Sequence, residues 1–436
     1  YTNMKNTFIV SCPIDTYSGY GARARDYVKS IIESDKYEVK ILSQRWGNTS
    51  TKFIKDHEEE WGFLAKHIIP QLTEQPDYWC QITVPNEFQA VGKYNIGLTA
   101  GIETTVCDGS WIEGCNRMDL ILTSSNHSKR VFETCEFLKD GKEDQVIKLN
   151  KPIKVLFEGA NLDVYKKVSK FTNEGLFNHI NDIPEEYAYL FVGHWMQGEL
   201  GHDRKNVGLL VKTFYETFKD IKIKPALILK TSVVGGSHID KAEIMRRISM
   251  IRETIPSNDL PPIYLIHGSL SDAEMNEVYN HPKVKTMVCL TRGEGFGRPL
   301  LEFSLIGKPI ITTGWSGHTD FLNEGDIGYV GGELEELHPS SQVKDMLLKE
   351  SKWFKPNLGD VKYLFNDTFK NHGDWVIKAK RQVKISKDRF SYDAMSKKIN
   401  EIFDVTLPIL PKKMELKLPG MDKIKMPKKI KQLKKV

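Results

Sequence analysis

The chain has 436 residues, 40% of them apolar and 27% charged, which allows two hydrophobic cores and excludes a disordered or fibrous class. There is no run of eighteen apolar residues to make a helical membrane span, and the opening YTNMKNTFIVSC, with Met4 read as the natural start, lacks the long apolar core of a signal peptide. The net charge of +5 is uneven: Pro411 to Val436 carries ten lysines against Glu415 and Asp422, a balance of +8, leaving −3 on the other 410 residues.

Phe8 to Cys12 reads as a first strand, followed by a turn with Gly19 and Gly21 and a helix over Ala22 to Ile32. Strand, glycine turn and helix suit an anion, but any Rossmann-like unit has them. No acid closes a second strand at the dinucleotide spacing, so a nicotinamide cofactor is not expected. Arg23 and Arg25 are read as a solvated helix face, with phosphate contact as the alternative. Strands follow at Glu38 to Ser43, Tyr78 to Val84, Asn95 to Thr105 (with its exit loop) and Leu120 to Ser124. Helices are expected at His57 to Ile69 and Asn126 to Glu136, with His127 a surface residue of the latter's first turn. Lys154 to Phe157 is a further strand, and Lys166 to Pro184 is polar enough to be a linker.

The pattern then restarts. Tyr187 to Val192 is a strand, and Asn206 to Phe218 is an amphipathic helix with Arg204 and Lys205 just before it. A guanidinium and an ammonium together at a helix start would hold a diphosphate. Ala226 to Thr231 is a strand whose apolar run ends in Lys230, where open α/β sheets bind ligands. A helix over Asp240 to Thr254 leads to the strand Ile263 to Ile266, which ends in His267 and Gly268. Ser271 caps a helix reaching Tyr279. Gly328 to Val330 is a short strand, Glu333 to Gly359 is loop-like, and helices are expected over Val361 to His372, Trp375 to Ile385 and Arg389 to Phe403. Alternating strands and helices imply parallel, doubly wound sheets.

Residues 285–322, KTMVCLTRGEGFGRPLLEFSLIGKPIITTGWSGHTDFL, carry the most chemistry. A strand meets a turn with Gly293, Gly295 and Gly297, and a helix begins with Pro299 in its first turn. Glycines let backbone approach a ligand, and the first helical N–H groups lack intrahelical partners. Glu294 sits in the turn and Glu302 lies one turn into the helix. A carboxylate repels phosphate, so acids here suit hydroxyl groups.

EGFGRPLLE, with GKPIITTGWSG after it, resembles the signature of retaining glycosyltransferases of family 4 and their relatives, in which two glutamates with seven residues between them frame a glycine-rich turn. The segment from Trp111 through Asp119 to Ser124 is similar to their last N-domain strands, and RFSYDAMSKKINEIF to their closing helices. The resemblance implies a GT-B fold: two Rossmann-like α/β domains facing a cleft, with C-terminal helices crossing back to the first domain. It divides the chain into an acceptor domain (1–165), a nucleotide-sugar domain (185–375), crossing helices (376–406) and a basic tail (407–436).

The implied activity is transfer of a sugar from a nucleoside diphosphate donor to an acceptor hydroxyl, with retention of configuration. By the same resemblance Arg204, Lys205 and Glu294 act at the reacting centre, the two cations on the diphosphate and Glu294 on the sugar's hydroxyls. Glu302 would hold the ribose and His267 would lie beneath the base. Gly19, Gly21, Lys230, Gly295, Phe296, Gly297, Arg298, Pro299 and Leu300 would shape or contact the donor site. Many members place a histidine in the loop matching Ala100 to Thr104; this chain has Gly101, Ile102 and Glu103, and Glu103 is read as acceptor-binding.

No D-x-D occurs, so no metal is expected, and no resident cofactor. The six cysteines form no C-x-x-C pair, which suits a reduced, cytosolic protein without zinc. The acceptor is a glycan, a lipid-linked sugar or another hydroxyl compound. The lysine-rich tail adds an anionic membrane or DNA surface as a partner, with a peripheral position at a membrane. A nucleotide-sugar epimerase of the same fold and a non-catalytic sugar-nucleotide or glycan binder are the alternatives. A phosphorylase would need a cofactor lysine and a longer chain.

Overall fold

The computed structural model describes residues 4–139, 141–233 and 237–411. The basic tail beyond residue 411 lies outside them. Two parallel sheets form the scaffold. In the first, strands run in the order Ile68–Ile69, Glu38–Ser43, Thr7–Cys12, Tyr78–Ile82, Tyr94–Thr99, Leu120–Thr123 and Ile153–Val155. In the second the order is Ile263–Ile266, Ala226–Lys230, Ala188–Val192, Val284–Cys289, Ile310–Thr313 and Gly328–Val330. Central strands such as Phe8 to Cys12 and Ala188 to Phe191 are buried throughout, as parallel strands with helices on both faces must be. Both sheets place their strand C-termini, the ligand edge of open α/β folds, toward the shared cleft.

The last helix, Tyr392–Thr406, belongs to the first domain's core although it ends the described chain. Met395, Ile399, Ile402 and Phe403 are buried among Phe8, Val10 and Tyr27, with the Phe8 and Phe403 rings 5.7 Å apart. The chain crosses between domains at two adjacent points. Ala160 N donates to Phe390 O at 2.9 Å, and Tyr392 N donates to Ala160 O at 2.7 Å.

Four local expectations are corrected. Residues 57–69 form no continuous helix: short turns over Phe53–Asp56, Glu58–Trp61 and Gly62–His67 give way to the edge strand Ile68–Ile69. The polar stretch 166–184 contains a helix, Glu174–Asn181, started by the Asn173 side chain accepting from Leu176 N. The loop-like stretch 333–359 contains an antiparallel hairpin of Gly332–Glu336 with Lys352–Pro356, and a second hairpin pairs Glu136–Lys139 with Lys142–Lys148. Arg23 and Arg25 are not solvated: both are almost fully buried. Arg23 donates to the carbonyls of Phe157 and Leu156, and Arg25 donates to those of Ile14 and Thr16 while lying 3.4 Å over the Phe53 ring. Their charges satisfy carbonyls at strand ends that no strand partner reaches.

Candidate active site

Glu294 is the centre of the glycine turn. Its carboxylate is buried, 2.5 Å from Lys205 Nζ and 3.5 Å from an Arg204 guanidinium nitrogen. Burial alone would raise its pKa, but the Lys205 and Arg204 charges and the Lys205 hydrogen bond outweigh it and hold the carboxyl at about 2. The backbone is fixed from the following loop: Glu294 N donates to Ser316 Oγ at 2.8 Å, and Gly317 N donates to Glu294 O at 2.9 Å. His318, fully buried behind the turn, bonds Thr313 O at 2.5 Å through Nε2.

The cationic pair is held by its own turn. Asn206 adopts a left-handed conformation (φ 59°) ahead of the helix Val207–Phe218, and Asp203 caps that helix by accepting from Val207 N at 3.0 Å. Arg204 also donates to Gly293 O at 2.8 Å. Burial pulls its pKa down, but Glu103 and Glu294 raise it above the ordinary value. Lys230 ends its strand with its ammonium 2.8 Å from Gly268 O, and burial lowers its pKa. His194, one residue past Gly193, ties these groups together. Its pKa is lowered first by desolvation within the cleft and then by the charges of Lys205, Lys230 and Arg204. Arg204, Lys205, Lys230 and His194 therefore share one neighbourhood at adjoining strand ends.

The helix after the glycine turn, Arg298–Ser304, has only seven residues, with Pro299 in its first turn and Gly297 left-handed (φ 97°) ahead of it. So short a helix contributes little dipole, and the positive charge near the turn comes from Arg204 and Lys205. Among the described residues the backbone N–H groups of Gly295, Phe296, Gly297 and Arg298 have no protein partner. Phe296 and Leu300 are buried in the core beneath. Glu302 is buried, 2.9 Å from the Tyr279 hydroxyl and 3.6 Å from Arg298 Nε. Burial raises its carboxyl to about 7, against the lowering effect of Arg298. The Arg298 side chain spans the cleft to Asp26 at 2.5 Å and Glu158 at 3.5 Å.

Across the cleft, the first domain abuts the turn directly. A Cβ on Gly293 would overlap the Glu103 carbonyl oxygen, and one on Gly295 would lie 2.7 Å from Ala100 O. Ser124 Oγ donates to Gly295 O at 3.3 Å. The glycines are therefore needed for domain contact as well as for any ligand. Gly21 packs against Thr16 O, and its N–H already donates to Ser18 Oγ at 2.9 Å, whereas Gly19 opens on free space. His267 bonds Asp240 at 2.7 Å. His127 is a buried residue, not a surface one: its Nε2 bonds Thr104 O at 3.1 Å, its ring meets Trp315 edge to face, and burial lowers its pKa to about 4.

The predicted residues thus fall into two clusters on one wall, Arg204–Lys205–Glu294 with Lys230, and Arg298–Glu302, while Glu103 faces the first cluster from the other wall. His194, Ser316 and His318 were not anticipated. His194 follows a strand-ending Gly193, which is the one sequence cue to it.

The whole architecture matches solved structures. A glycosyltransferase from Rickettsia africae superposes with a TM-score of 0.62 at 15% identity, covering 94% of this chain and 100% of that one. Sucrose-phosphate synthase from Thermosynechococcus elongatus gives 0.60 at 11% identity, covering 92% and 98%. Anabaena HepE in complex with UDP and glucose gives 0.56 at 12% identity, covering 92% and 100%.

The fold is GT-B.

No protein-family model and no curated protein matches the sequence. Both GT-B sheets, the cleft and the returning C-terminal helix are present here over nearly the full length of these structures. The six cysteines are all free and buried, and among the described residues no helix is long and apolar enough to cross a membrane.

Proposed function

We propose that this chain is a retaining glycosyltransferase of family 4 type, which moves a sugar from a nucleoside diphosphate donor to an acceptor hydroxyl without a metal. The observation that carries this reading is the buried Glu294 held between Lys205 and Arg204 beneath a turn of unpartnered backbone N–H groups. Arg204, Lys205 and Lys230 face two carboxylates, Glu294 and Glu103, which leaves spare positive charge. A diphosphate arriving at Arg204, Lys205 and Lys230 draws Lys205 onto its oxygens, and the released Glu294 oxygen accepts from sugar hydroxyls. Glu294 enters this exchange ionised, its carboxyl held at about 2 by Lys205 and Arg204. Departure of the diphosphate builds negative charge where the cations and the 295–298 amides converge, which is where stabilisation lowers the barrier. Glu302 accepts from the ribose. The direct contact of Gly293 and Gly295 with residues 100–103 means the seam parts to admit the donor.

The likeness to structures that hold UDP supports a nucleoside diphosphate donor. The test is a thermal-shift screen of UDP-, GDP- and ADP-sugars, followed by nucleoside diphosphate release with the best donor. Glu302→Ala should abolish the shift. Product NMR reads the anomeric outcome, and undiminished turnover in EDTA checks metal independence. Binding without any release of diphosphate would replace the transferase by a binding protein. We assign residues 411–436 to an anionic surface; their deletion should weaken salt-sensitive binding to anionic vesicles, and unchanged binding removes that role.

A further inference from the structure

We propose that the acceptor is a neutral carbohydrate whose ring stacks on the open face of Trp46, an inference that rests on the glycosyl-transfer reading. Trp46 lies in the loop after the strand Glu38–Ser43, at the ligand edge of the first sheet. One face of its indole stacks on Tyr20, with centroids 4.0 Å apart and planes at 23°. The Tyr20 hydroxyl is 3.2 Å from Thr99 Oγ1 and accepts from Ala100 N at 3.2 Å. The Ala100 carbonyl is the group that presses on Gly295. The aromatic pair is thus joined by contact to the glycine turn where the donor sugar is placed.

Trp46 differs from six of the other seven tryptophans. Trp61, Trp79, Trp111, Trp195, Trp353 and Trp375 are buried, and Trp315 packs between His127 and Phe354. Trp46 is half-buried among exposed neighbours, and among the described residues its indole N–H has no hydrogen-bond partner. An indole left part-exposed beside its stacked partner forgoes burial that six of the other seven tryptophans have. The loop presenting it is tied down by its own hydrogen bonds: Thr49 bonds Trp46 O through N at 3.0 Å and Oγ1 at 2.7 Å, and the Asp15 carboxylate accepts from Lys52 N and Ile54 N. A preset aromatic surface lowers the ordering cost of binding.

The surrounding charge selects the ligand. A pyranose has an apolar C–H face for the indole and hydroxyls at its rim. Glu103 and Glu158 both act on Tyr20, while Glu60 faces Asp26 and, across the cleft, Asp272. Arg45, Lys52 and Lys55, with Arg25 over Phe53 and Lys29 beside Glu60, are matched by Asp15, Asp56, Glu58, Glu59 and Glu60, so no basic surplus gathers here. Carboxylates accept from sugar hydroxyls and repel phosphates. A nucleic acid would also stack on indole, but it needs a basic groove for its backbone, and this wall has no basic surplus.

The experiment uses the full chain on an array of neutral oligosaccharides, sialylated oligosaccharides and DNA oligonucleotides, with thermal shift by UDP, GDP and ADP in parallel. Neutral oligosaccharides should bind. Trp46→Ala should weaken that binding at least about tenfold, Trp46→Phe should recover most of it, and the nucleotide shift should be equal in all three proteins. The proposal is overturned by binding to DNA or sialylated glycans alone, by no binding to neutral glycans, or by Trp46→Ala binding as the wild type does. A missing nucleotide shift beside Trp46-dependent glycan binding would sink the transferase reading and leave the carbohydrate site standing.

Discussion

At the scale of single residues the site turns on one buried carboxylate and two cations. Lys205→Ala leaves Glu294 with Arg204 alone at 3.5 Å and removes the ammonium that a diphosphate would draw away. Turnover with the preferred donor should fall by about 10²–10³-fold, measured as nucleoside diphosphate release. The pH dependence of stability follows from Glu294. Its folded pKa of about 2 lies below the ordinary glutamate value of 4.5, so its contribution is complete above pH 4.5 and is lost as pH falls toward 2. The gap in stability between wild type and Glu294→Gln should therefore narrow over that window in urea titrations. Glu302 behaves oppositely. With its carboxyl near 7, donor affinity should climb from pH 6 to pH 8 as it ionises, and Glu302→Gln should flatten the climb.

Much of this was legible in the sequence because charge beside a glycine turn is a local signal. Arg204 and Lys205 stood out as charge at a helix start and Glu294 as an acid in a glycine turn, but their joint role was implied by the family resemblance, and nothing local marks a pairing across 89 residues. Arg23 and Arg25 misled for the converse reason. Their partners are carbonyls at strand ends, Leu156 and Phe157 for one and Ile14 and Thr16 for the other, and no residue type marks a carbonyl that lacks a partner.

At the scale of elements, the hairpin Gly332–Glu336/Lys352–Pro356 was invisible because its first strand is mostly exposed and acidic and has no apolar alternation. It is held at few points: Trp353 is buried, with the Arg292 guanidinium 5.6 Å from its ring, Arg292 pairs with Glu335, and Phe354 N donates to Arg292 O at 2.9 Å. Trp353→Ala should cost about 3–5 kcal/mol in chemical denaturation, since it empties the most deeply buried large side chain of the hairpin. The 57–69 segment failed differently. Its apolar spacing suits a helix, but His67 bonds Val39 O at 2.9 Å and Ile68 pairs in register with Ile41, so the sheet edge takes the last turn. The capping box at Ser271 with Glu274 needed only four residues of sequence and was predictable for that reason.

At the scale of the whole molecule, Arg298 is the charge that spans the domains. Arg298→Met leaves Asp26, Glu158 and Glu302 facing one another without a cation and should destabilise the protein by about 3 kcal/mol, the lower end for a broken buried pair because the side chain is 25% exposed. Adding Asp26→Asn should recover part of the loss. The two doubly wound halves were readable because strand, turn and helix repeat along both, while their GT-B arrangement was implied only by the family resemblance of residues 285–322. The way the halves meet was not, since Gly293 against Glu103 and Gly295 against Ala100 are contacts between backbones, and backbone approach has no side-chain signature beyond glycine.

The hairpin reaches the first domain as well: Thr105 N donates to Lys352 O at 3.0 Å, and Lys352 N donates to Thr105 Oγ1 at 2.8 Å. This bears on recombination of half-molecules. A chimera that exchanged the first domain for a foreign one would carry in a strange 100–105 loop, which must seat against Gly293, Gly295 and Lys352 with the Thr105 hydroxyl as its side-chain guide. The natural unit of transplantation is therefore not the domain but the domain together with its facing loop and hairpin strand, and grafts cut at the linker alone should fold as two halves that fail to meet.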